Sequence, residues 1–282
     1  MSKKLNGATR LFPIIGDPIK FVKSPQQLTR GFEARGHNAL CLPMQVAKDD
    51  LDAVMHALTL TGNVDGLLVT MPHKFSAFTH CATSSDTARL LGGVSVMRRN
   101  ADGTWHGEML DGLAFVKAQI DLGARVKDGR ALLLGAGAAG SAIAIALLEA
   151  DVGKLIIHDA DESRATRLNG LVAGLARGRV RVGPADPAGC TLVFNATPMG
   201  LAEDDPLPVS AELLDSSMFV GDAIAGHEVT PLLIAAQSAG CKTANGVQMV
   251  DAVQEMMLDF LLRQNVHSQR SADCGFNVTV AA

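Results

Sequence analysis

The 282-residue chain has few aromatic and few charged residues. It contains no tyrosine and one tryptophan, and only 19% of its residues are charged while 48% are hydrophobic. Without tyrosine, no phenolic hydroxyl can take part in a binding site. A chain with so much apolar side chain can bury a large core, which excludes a disordered or fibrous protein.

The cysteines are also few, and their spacing is irregular. The five cysteines form no Cys-x-x-Cys pair, which argues against a disulfide framework or a zinc site. His106 and His158 lack metal-binding partners at a suitable spacing, so no metal is predicted. We expect the cysteines to be small buried residues in a reducing compartment, and therefore a cytoplasmic protein.

Neither an excess of one charge nor a long apolar run is present. The 25 basic and 29 acidic residues give a net charge of −4, and no basic face is evident, which argues against nucleic acid as a partner. The Arg98-Arg99 pair is expected to lie on a solvated face. The amino terminus lacks the apolar run of a signal peptide, and no stretch is long enough to cross a bilayer. We expect a monomer or homodimer that binds a small molecule.

Strands and helices alternate along the chain, which is typical of an α/β protein. Ser24 and Pro25 open the first predicted helix, as N-cap and first helical residue. The predicted strands are 11–16, 39–46, 66–70, 94–99, 104–109, 130–134, 154–161, 191–197 and 218–223. The predicted helices are 24–36, 48–60, 111–122, 162–176, 246–262 and one after the strand at 130–134.

A glycine-rich turn follows that strand and opens its helix. It reads Gly135-Ala136-Gly137-Ala138-Ala139-Gly140 and fits the pattern G-x-G-x-x-G. The first glycine permits the tight turn, the second lets the backbone approach a pyrophosphate, and the third allows close helix packing. The helix N-terminus then faces the phosphates. The alternative is a loop that only packs the helix on the sheet.

Asp159 ends the next predicted strand, about 20 residues after the last glycine. A carboxylate there accepts a hydrogen bond from a ribose 2′-hydroxyl and repels a 2′-phosphate. The sequence therefore predicts a nicotinamide dinucleotide site that prefers NAD to NADP. An FAD site is the lesser alternative, because such units more often open the chain.

Lys74 and Asp111 follow the ends of predicted strands, where catalytic groups are usually held. A lysine whose pKa is lowered can take the proton of an alcohol during oxidation, and an aspartate can orient it. Spacing alone favours a solvated lysine and an aspartate that caps a helix. His73 is expected to be a surface-loop histidine or a substrate contact.

Several motifs together resemble those of the shikimate dehydrogenase family over residues 11–262. The family's Gly-Asn-Pro-Ile and Ser-x-Ser-Pro are similar to Gly16-Asp17-Pro18-Ile19 and Val22-Lys23-Ser24-Pro25. Its Asn-Val-Thr-x-Pro-x-Lys and Gly-x-Asn-Thr-Asp-Gly resemble residues 68–74 and 107–112. Residues 195–200, Thr230-Pro231 and Gly246 also match its pattern.

The resemblance implies a fold, an activity and a set of site residues. It implies a Rossmann-type dinucleotide-binding domain at 112–245. An α/β substrate-binding domain at 1–111 and 246–282 would be completed by the C-terminal helix, with the active cleft between the domains. The activity would be reversible hydride transfer between NAD(P) and a ring hydroxyl of shikimate, quinate or a related cyclic hydroxy acid. The implied roles are Lys74 and Asp111 as the catalytic pair, Ser24, Thr70 and Ser95 as substrate contacts, and Asn195, Thr197 and Gly246 on the nicotinamide side.

Several residues depart from the family pattern where a carboxylate is usually held. Val22 replaces the first serine, Leu68 and Ser95 replace asparagines, and Ala225 stands where a tyrosine helps to hold the carboxylate. Each hydrogen bond to a charged group contributes about 1.5–3 kcal/mol, so shikimate binding should be weakened unless other groups compensate. Two alternatives therefore stay open: the same chemistry on an atypical, for example aminated, shikimate analogue, and a non-catalytic NAD-binding sensor.

Overall fold

The strands form two six-stranded sheets, and the chain divides into two compact units. The computed structural model describes residues 5–20, 22–202, 204–224 and 229–263. The first unit comprises the described residues up to Ser84, Met97–Gly107 and those from Leu258 onward. The second comprises Ser85–Val96 and the described residues from Glu108 to Met257. The domain boundaries drawn from the sequence at 111 and 246 stay a prediction.

The first sheet has the strand order β2-β1-β3-β5-β6-β4. Its strands are β1 (Arg10–Gly16), β2 (Ala39–Gln45), β3 (Gly66–Val69), β4 (Cys81–Ser84), β5 (Val96–Arg99) and β6 (Trp105–Glu108). The helices of this part of the chain are α1 (Ser24–Ala34), α2 (Leu51–Leu60) and α3 (Lys74–Phe78), with a 3₁₀ turn at Lys48–Asp50.

Burial explains the centre of this sheet. All four residues of β3 are buried, and α1 covers the sheet with Leu28 and Phe32, whose ring stacks on Phe12 at 4.5 Å. Both β2 and β3 run parallel to β1 on opposite sides of it. The chain order therefore reverses between β1 and β3, and a crevice opens at the carboxyl ends of parallel strands where the order reverses.

The second sheet has the strand order β12-β11-β10-β7-β8-β9. Its strands are β7 (Arg130–Leu134), β8 (Lys154–His158), β9 (Val180–Val182), β10 (Leu192–Asn195), β11 (Phe219–Asp222) and β12 (Lys242–Ala244). The helices of this part of the chain are α4 (Asp86–Leu91), α5 (Asp111–Asp121), α6 (Ala138–Glu149), α7 (Glu162–Leu171), α8 (Ala173–Ala176), α9 (Pro231–Ser238) and α10 (Gly246–Leu262), with a 3₁₀ turn at Ala211–Leu213.

Every neighbouring pair in the second sheet is parallel. Read from β9, the order is 3-2-1-4-5-6 in the sequence of its own strands, which is the doubly wound Rossmann arrangement. Such sheets are covered on both faces, and Leu132, Leu133 and Val193 in its central strands are fully buried. The chain order reverses between β7 and β10, so the crevice of this sheet lies at the ends of those two strands.

The predicted α/β fold and its principal elements are confirmed, and the differences have local causes. Helix α1 begins at Ser24 itself, with Lys23 at the N-cap and no side-chain capping bond. The predicted helix 162–176 is divided at Val172 into α7 and α8, where Gly170 and Gly174 lower the helix propensity. The short elements β4, β9, β12 and α9 were not predicted.

The cysteines, the candidate membrane segments and the candidate metal ligands can be examined over the described residues. Of the four cysteines in the described ranges, Cys41, Cys190 and Cys241 are buried and Cys81 is half-buried, and all are free thiols. None of the described helices combines the length and hydropathy that a bilayer-spanning segment needs. Over the same residues, no three His, Cys, Asp or Glu side chains are grouped as metal ligands.

Candidate active site

The glycine turn lies at the reversal point of the second sheet. Gly135 follows β7 with φ of 99°, and an added Cβ would lie 2.8 Å from the Ala196 carbonyl oxygen. A Cβ at Gly140 would lie 2.0 Å from the Gly135 carbonyl oxygen. Both glycines are required because backbone from β7, α6 and the loop after β10 meets here without space for a side chain.

Gly137 differs from these two glycines. It is the extended N-cap residue of α6 and makes no side-chain capping bond, and an added Cβ would meet nothing within 4 Å. The first amides of a helix have no acceptor within that helix, and the helix dipole favours an anion at this end. A bare backbone, open space and a helix N-terminus together fit the pyrophosphate of a dinucleotide.

Asp159 lies directly after β8 and is tied to the glycine turn. The Ala136 amide donates to Asp159 Oδ2 at 2.7 Å, and the Asp161 amide donates to Oδ1 at 2.9 Å. In dinucleotide-binding folds with such a turn, an acid at this position accepts a hydrogen bond from the adenosine ribose. Arg164 follows in the first turn of α7, and its Nε lies 3.3 Å from Asp161 Oδ2, so this arginine is already paired with an acid.

The loop after β10 is held by the side chains that the sequence assigned to the nicotinamide side. Asn195 is fully buried. Its Oδ1 accepts from the Thr197 amide at 3.0 Å and from the Thr197 hydroxyl at 2.6 Å. The Met199 amide in turn donates to the Thr197 hydroxyl at 3.2 Å. Both side chains are therefore used to shape the loop, which presents its backbone beside the glycine turn.

A buried aspartate that sequence reasoning missed supports this loop. Asp222 ends β11, and its Oδ1 accepts from Asn195 Nδ2 at 3.1 Å and from the Ile224 amide at 3.0 Å. Its Oδ2 accepts from the buried Thr230 hydroxyl at 2.6 Å. Burial raises the pKa of Asp222, and these three hydrogen bonds oppose the rise. An aspartate at the end of an apolar strand was the only available signal.

Gly246 begins α10, and the residue before it caps the helix. Asn245 Oδ1 accepts from the Val247 and Gln248 amides at 3.1 and 3.2 Å. Gln248 Oε1 accepts from the Asn245 amide at 2.9 Å. This reciprocal capping box holds the first turn of α10. Gly246 lies within it and presents only backbone, because glycine has no side chain.

In the first unit, Thr70 and Lys74 follow β3 at the reversal point of the first sheet. A Cβ at Gly16, which ends β1, would lie 2.4 Å from Thr70 Cγ2, so the two strand ends are in close contact. Lys74 opens α3 and is half-buried. His73 is fully buried, and its Nε2 donates to the Val46 carbonyl at 2.7 Å, which corrects the expectation of a surface-loop histidine.

The residues that depart from the family pattern lie in different environments. Leu68 is buried within β3 and pairs with Ile14 of β1. Val22 and Ser24 are half-buried before and in the first turn of α1. Ala225 lies outside the described residues, so its environment stays untested.

Asp111 of the second unit opens α5, and two neighbours fix its position. Ser95 is buried, and its hydroxyl accepts from the Leu110 amide at 2.9 Å. A Cβ at Gly112 would lie 2.0 Å from the Ala142 carbonyl oxygen, so α5 packs directly on the backbone of α6. Asp111 is half-buried. Ser95 therefore supports the turn that carries Asp111.

A doubly wound parallel sheet with this glycine turn and this acid is typical of an NAD(P)-dependent oxidoreductase. The comparisons with known proteins support the same class. Residues 14–97 match the model of the shikimate dehydrogenase substrate binding domain. The chain is 34% identical over 274 residues to the shikimate dehydrogenase (NADP(+)) of Rubrobacter xylanophilus, covering 95% of this chain and 92% of that one. The chain belongs to the shikimate dehydrogenase family, whose members act on a CH–OH group.

Solved structures show the same fold over nearly the whole chain. A shikimate dehydrogenase in complex with NADP+ superposes with a TM-score of 0.85 at 27% identity, covering 92% of each chain. The quinate dehydrogenase from Corynebacterium glutamicum in complex with NAD superposes with a TM-score of 0.83 at 25% identity, covering 90% of this chain and 94% of that one. These neighbours bind different dinucleotides, so the fold is compatible with either.

Proposed function

We propose that the chain catalyses the reversible NAD(P)-dependent oxidation of a ring hydroxyl of shikimate, quinate or a related cyclic hydroxy acid. The observation that carries this proposal is the crevice at β7 and β10, where the glycine turn and Asp159 fit a dinucleotide. The second unit then binds the dinucleotide. The first unit, which contains most of the residues matched to the substrate binding domain, binds the cyclic acid.

Lys74 and Asp111 carry the proton transfer in this proposal. A bound NAD(P) would supply a hydride acceptor for the ring carbon, and oxidation of the alcohol also requires that the protein take the hydroxyl proton. Lys74 and Asp111 together hold the hydroxyl and take its proton, because both stand at strand or helix ends where a side chain can reach a ligand. Ser95 assists by holding Leu110, and its hydroxyl keeps one hydrogen to donate.

The substrate contacts follow from the same crevice in the first unit. Thr70, at the reversal point, and Ser24, in the first turn of α1, supply hydroxyls to the ring substituents. Hydroxyls can both donate and accept, so they suit a polyhydroxylated ring. The apolar Val22 reduces the polar contacts available beside Ser24.

The dinucleotide is NAD rather than NADP in this proposal. Asp159 lies next to the glycine turn and accepts a hydrogen bond from its Ala136 amide, so a 2′-phosphate would meet a like charge there. Asp161 pairs with Arg164, so this arginine is not available to such a phosphate.

A second candidate is the same reaction on a ring that lacks the usual carboxylate or carries an amine. Val22 and Leu68 favour it, because neither can donate a hydrogen bond to a carboxylate. The catalytic pair and the dinucleotide crevice are unchanged in this alternative, so only the substrate differs.

Initial rates at the reduced-nicotinamide absorbance band test these proposals. NAD and NADP are each assayed with shikimate, with quinate, and with ring analogues that lack the carboxylate or carry an amine. Turnover of either acid with NAD supports the first candidate. Turnover of the analogues alone supports the second. Higher kcat/KM with NADP than with NAD contradicts the role given to Asp159, and dinucleotide binding without any turnover indicates a sensor.

A further inference from the structure

A cavity lies at the edge of the first sheet that is opposite to Thr70 and Lys74. Its volume is about 620 Å³, and Arg10, Ala39 and Asp65 line it at the amino ends of β1, β2 and β3. Since these strands are parallel, their amino and carboxyl ends lie on opposite edges. The cavity is therefore separate from the candidate active site.

The lining is strongly basic. Among the described residues around the cavity, four are arginines and one, Asp65, is acidic. Positive charges confined beside apolar walls raise the local concentration of anions. The composition of the cavity therefore points to a negatively charged ligand.

Arg10 and Arg99 are held by contacts within the protein. Arg10 Nε donates to Asp65 Oδ2 at 2.6 Å, which accounts for the acid in the cavity. The Arg99 guanidinium donates to five carbonyl groups, four of them in the end of α2 and the following loop, and it stacks on Trp105 at 4.6 Å. These two arginines form the wall of the cavity.

Arg98 and Arg263 complete the basic lining of the cavity. Arg98 is half-buried, and its guanidinium carbon lies 5.3 Å from the centre of the Phe260 ring. Burial and the neighbouring positive charge of Arg263 both lower the pKa of Arg98. Like charges that line the same cavity are stabilised when an anion binds between them. Arg98 and Arg99 are half-buried, which contradicts the prediction that this pair lies on a solvated face.

The floor of the cavity is apolar. Phe12 and Ala39 are buried at its base, and Leu261 of α10 closes one side. An inorganic ion would leave this floor uncovered, whereas an organic anion would cover it and gain from apolar burial. The ligand should therefore carry both an anionic group and an apolar body.

We propose that this cavity binds a small organic oxyanion, with its phosphate or carboxylate between Arg98 and Arg263 and its apolar body on Phe12 and Leu261. Guanidinium groups suit this role because their planar donors match both anions. The site is a binding site remote from the reacting groups, and nothing in the proposed dehydrogenase reaction requires it.

Calorimetric titration of the full chain tests the proposal, with inorganic phosphate and phenyl phosphate as probes. Saturating NAD is present to fill the dinucleotide site, and chloride keeps the ionic strength constant. We expect saturable binding of both probes, with phenyl phosphate at least tenfold tighter. Arg98→Gln and Arg263→Gln should each weaken binding of both probes at least tenfold.

Arg125→Gln is the matched control, because Arg125 is exposed in the second unit and the variant makes the same change of charge. It should leave both dissociation constants unchanged. Arg263 is exposed at the end of α10, so its variant keeps the test valid if Arg98→Gln does not fold. Absence of saturable binding to the wild type, or equal binding by the wild type and Arg263→Gln, overturns the proposal.

Discussion

The two sheets place their crevices at equivalent topological positions but build them from different parts of the chain. In the second sheet the crevice is made of backbone: Gly135, Gly140 and the amides at the start of α6. In the first sheet it is made of side chains that follow β3, such as Thr70 and Lys74. A backbone site requires glycines at fixed spacing, whereas a side-chain site requires only suitable residue types. The first kind can therefore be recognised from the sequence alone, and the second cannot.

Loss of Lys74 should have the largest effect, and it should distinguish the role of the first crevice from that of the second. Lys74→Ala is expected to lower kcat by about 10²–10⁴-fold, because a positioned acid–base group contributes that much. The dissociation constant for NAD, measured by fluorescence titration, should stay within about twofold.

Lys117→Ala is the matched control, since Lys117 is exposed on α5 and pairs only at the surface with Asp121. It should keep normal turnover. Turnover of Lys74→Ala at the wild-type rate would rule out the catalytic role of Lys74.

Gly140→Ala should disrupt the backbone crevice by destabilising the fold around it. The added methyl would lie 2.0 Å from the Gly135 carbonyl oxygen, so the turn or α6 must shift. We expect the free energy of unfolding to fall by about 3 kcal/mol, measured by denaturant titration. If the variant is as stable as the wild type, the contact between the turn and α6 is looser than described.

Gly137→Ala should affect the ligand and not the fold. Nothing lies within 4 Å of the added methyl, so the stability should change by less than about 1 kcal/mol. The dissociation constant for NAD should rise about tenfold, because the methyl fills space that a pyrophosphate needs. Tight NAD binding by this variant would contradict the assigned position of the pyrophosphate.

Asp159→Asn should change the choice of dinucleotide by a similar factor. Removing the charge removes the repulsion of a 2′-phosphate, so the ratio of kcat/KM for NADP to that for NAD should rise about tenfold. Asp186→Asn, at an exposed position in the same unit, should leave the ratio unchanged. A ratio that does not move for Asp159→Asn would assign the preference to other residues.

Asp222→Asn should have the smallest effect and should depend on pH. Burial raises the pKa of Asp222, so the folded state binds this proton more tightly than the unfolded chain does. The stability from this proton is fully present below the ordinary value of about 4 and is lost as the pH rises through the raised value. The variant is expected to be less stable by about 1–3 kcal/mol, because a donor loses its acceptor. The deficit should be larger near pH 4 than near pH 7.

Asp215→Asn is a control of opposite sign. The Ser217 hydroxyl and amide donate to the exposed Asp215 and lower its pKa. Its contribution to stability is therefore present above the ordinary value and is lost as the pH falls through the lowered one. Denaturant titrations between pH 3 and pH 8 follow both variants. Parallel pH profiles for wild type and Asp222→Asn would show that this carboxyl does not titrate differently in the folded state.

Residues of the same site differ in how well their roles could be predicted. Asp159 was expected to accept a hydrogen bond from a ribose, and its carboxylate accepts one from the Ala136 amide of the glycine turn. Asn195 and Thr197 were expected to line the nicotinamide side, and the described bonds of their side chains shape the loop after β10. Asp222 and Thr230 were not paired in advance, because their hydrogen bond depends on tertiary structure. Motif spacing does not reveal which atoms of a matched residue face inward.

The sequence by itself determined the alternation of strands and helices, the glycine turn and the acid that follows it. These are local features, set by burial periodicity and by the steric freedom of glycine, and they act over a few residues. Tertiary structure decided which strands became neighbours, and hence where the chain order reverses. It also decided that His73 and Asp222 are buried, and that arginines from β1, β5 and the end of α10 line one cavity. Contacts between residues far apart in the chain depend on packing, and packing leaves no spacing pattern in the sequence.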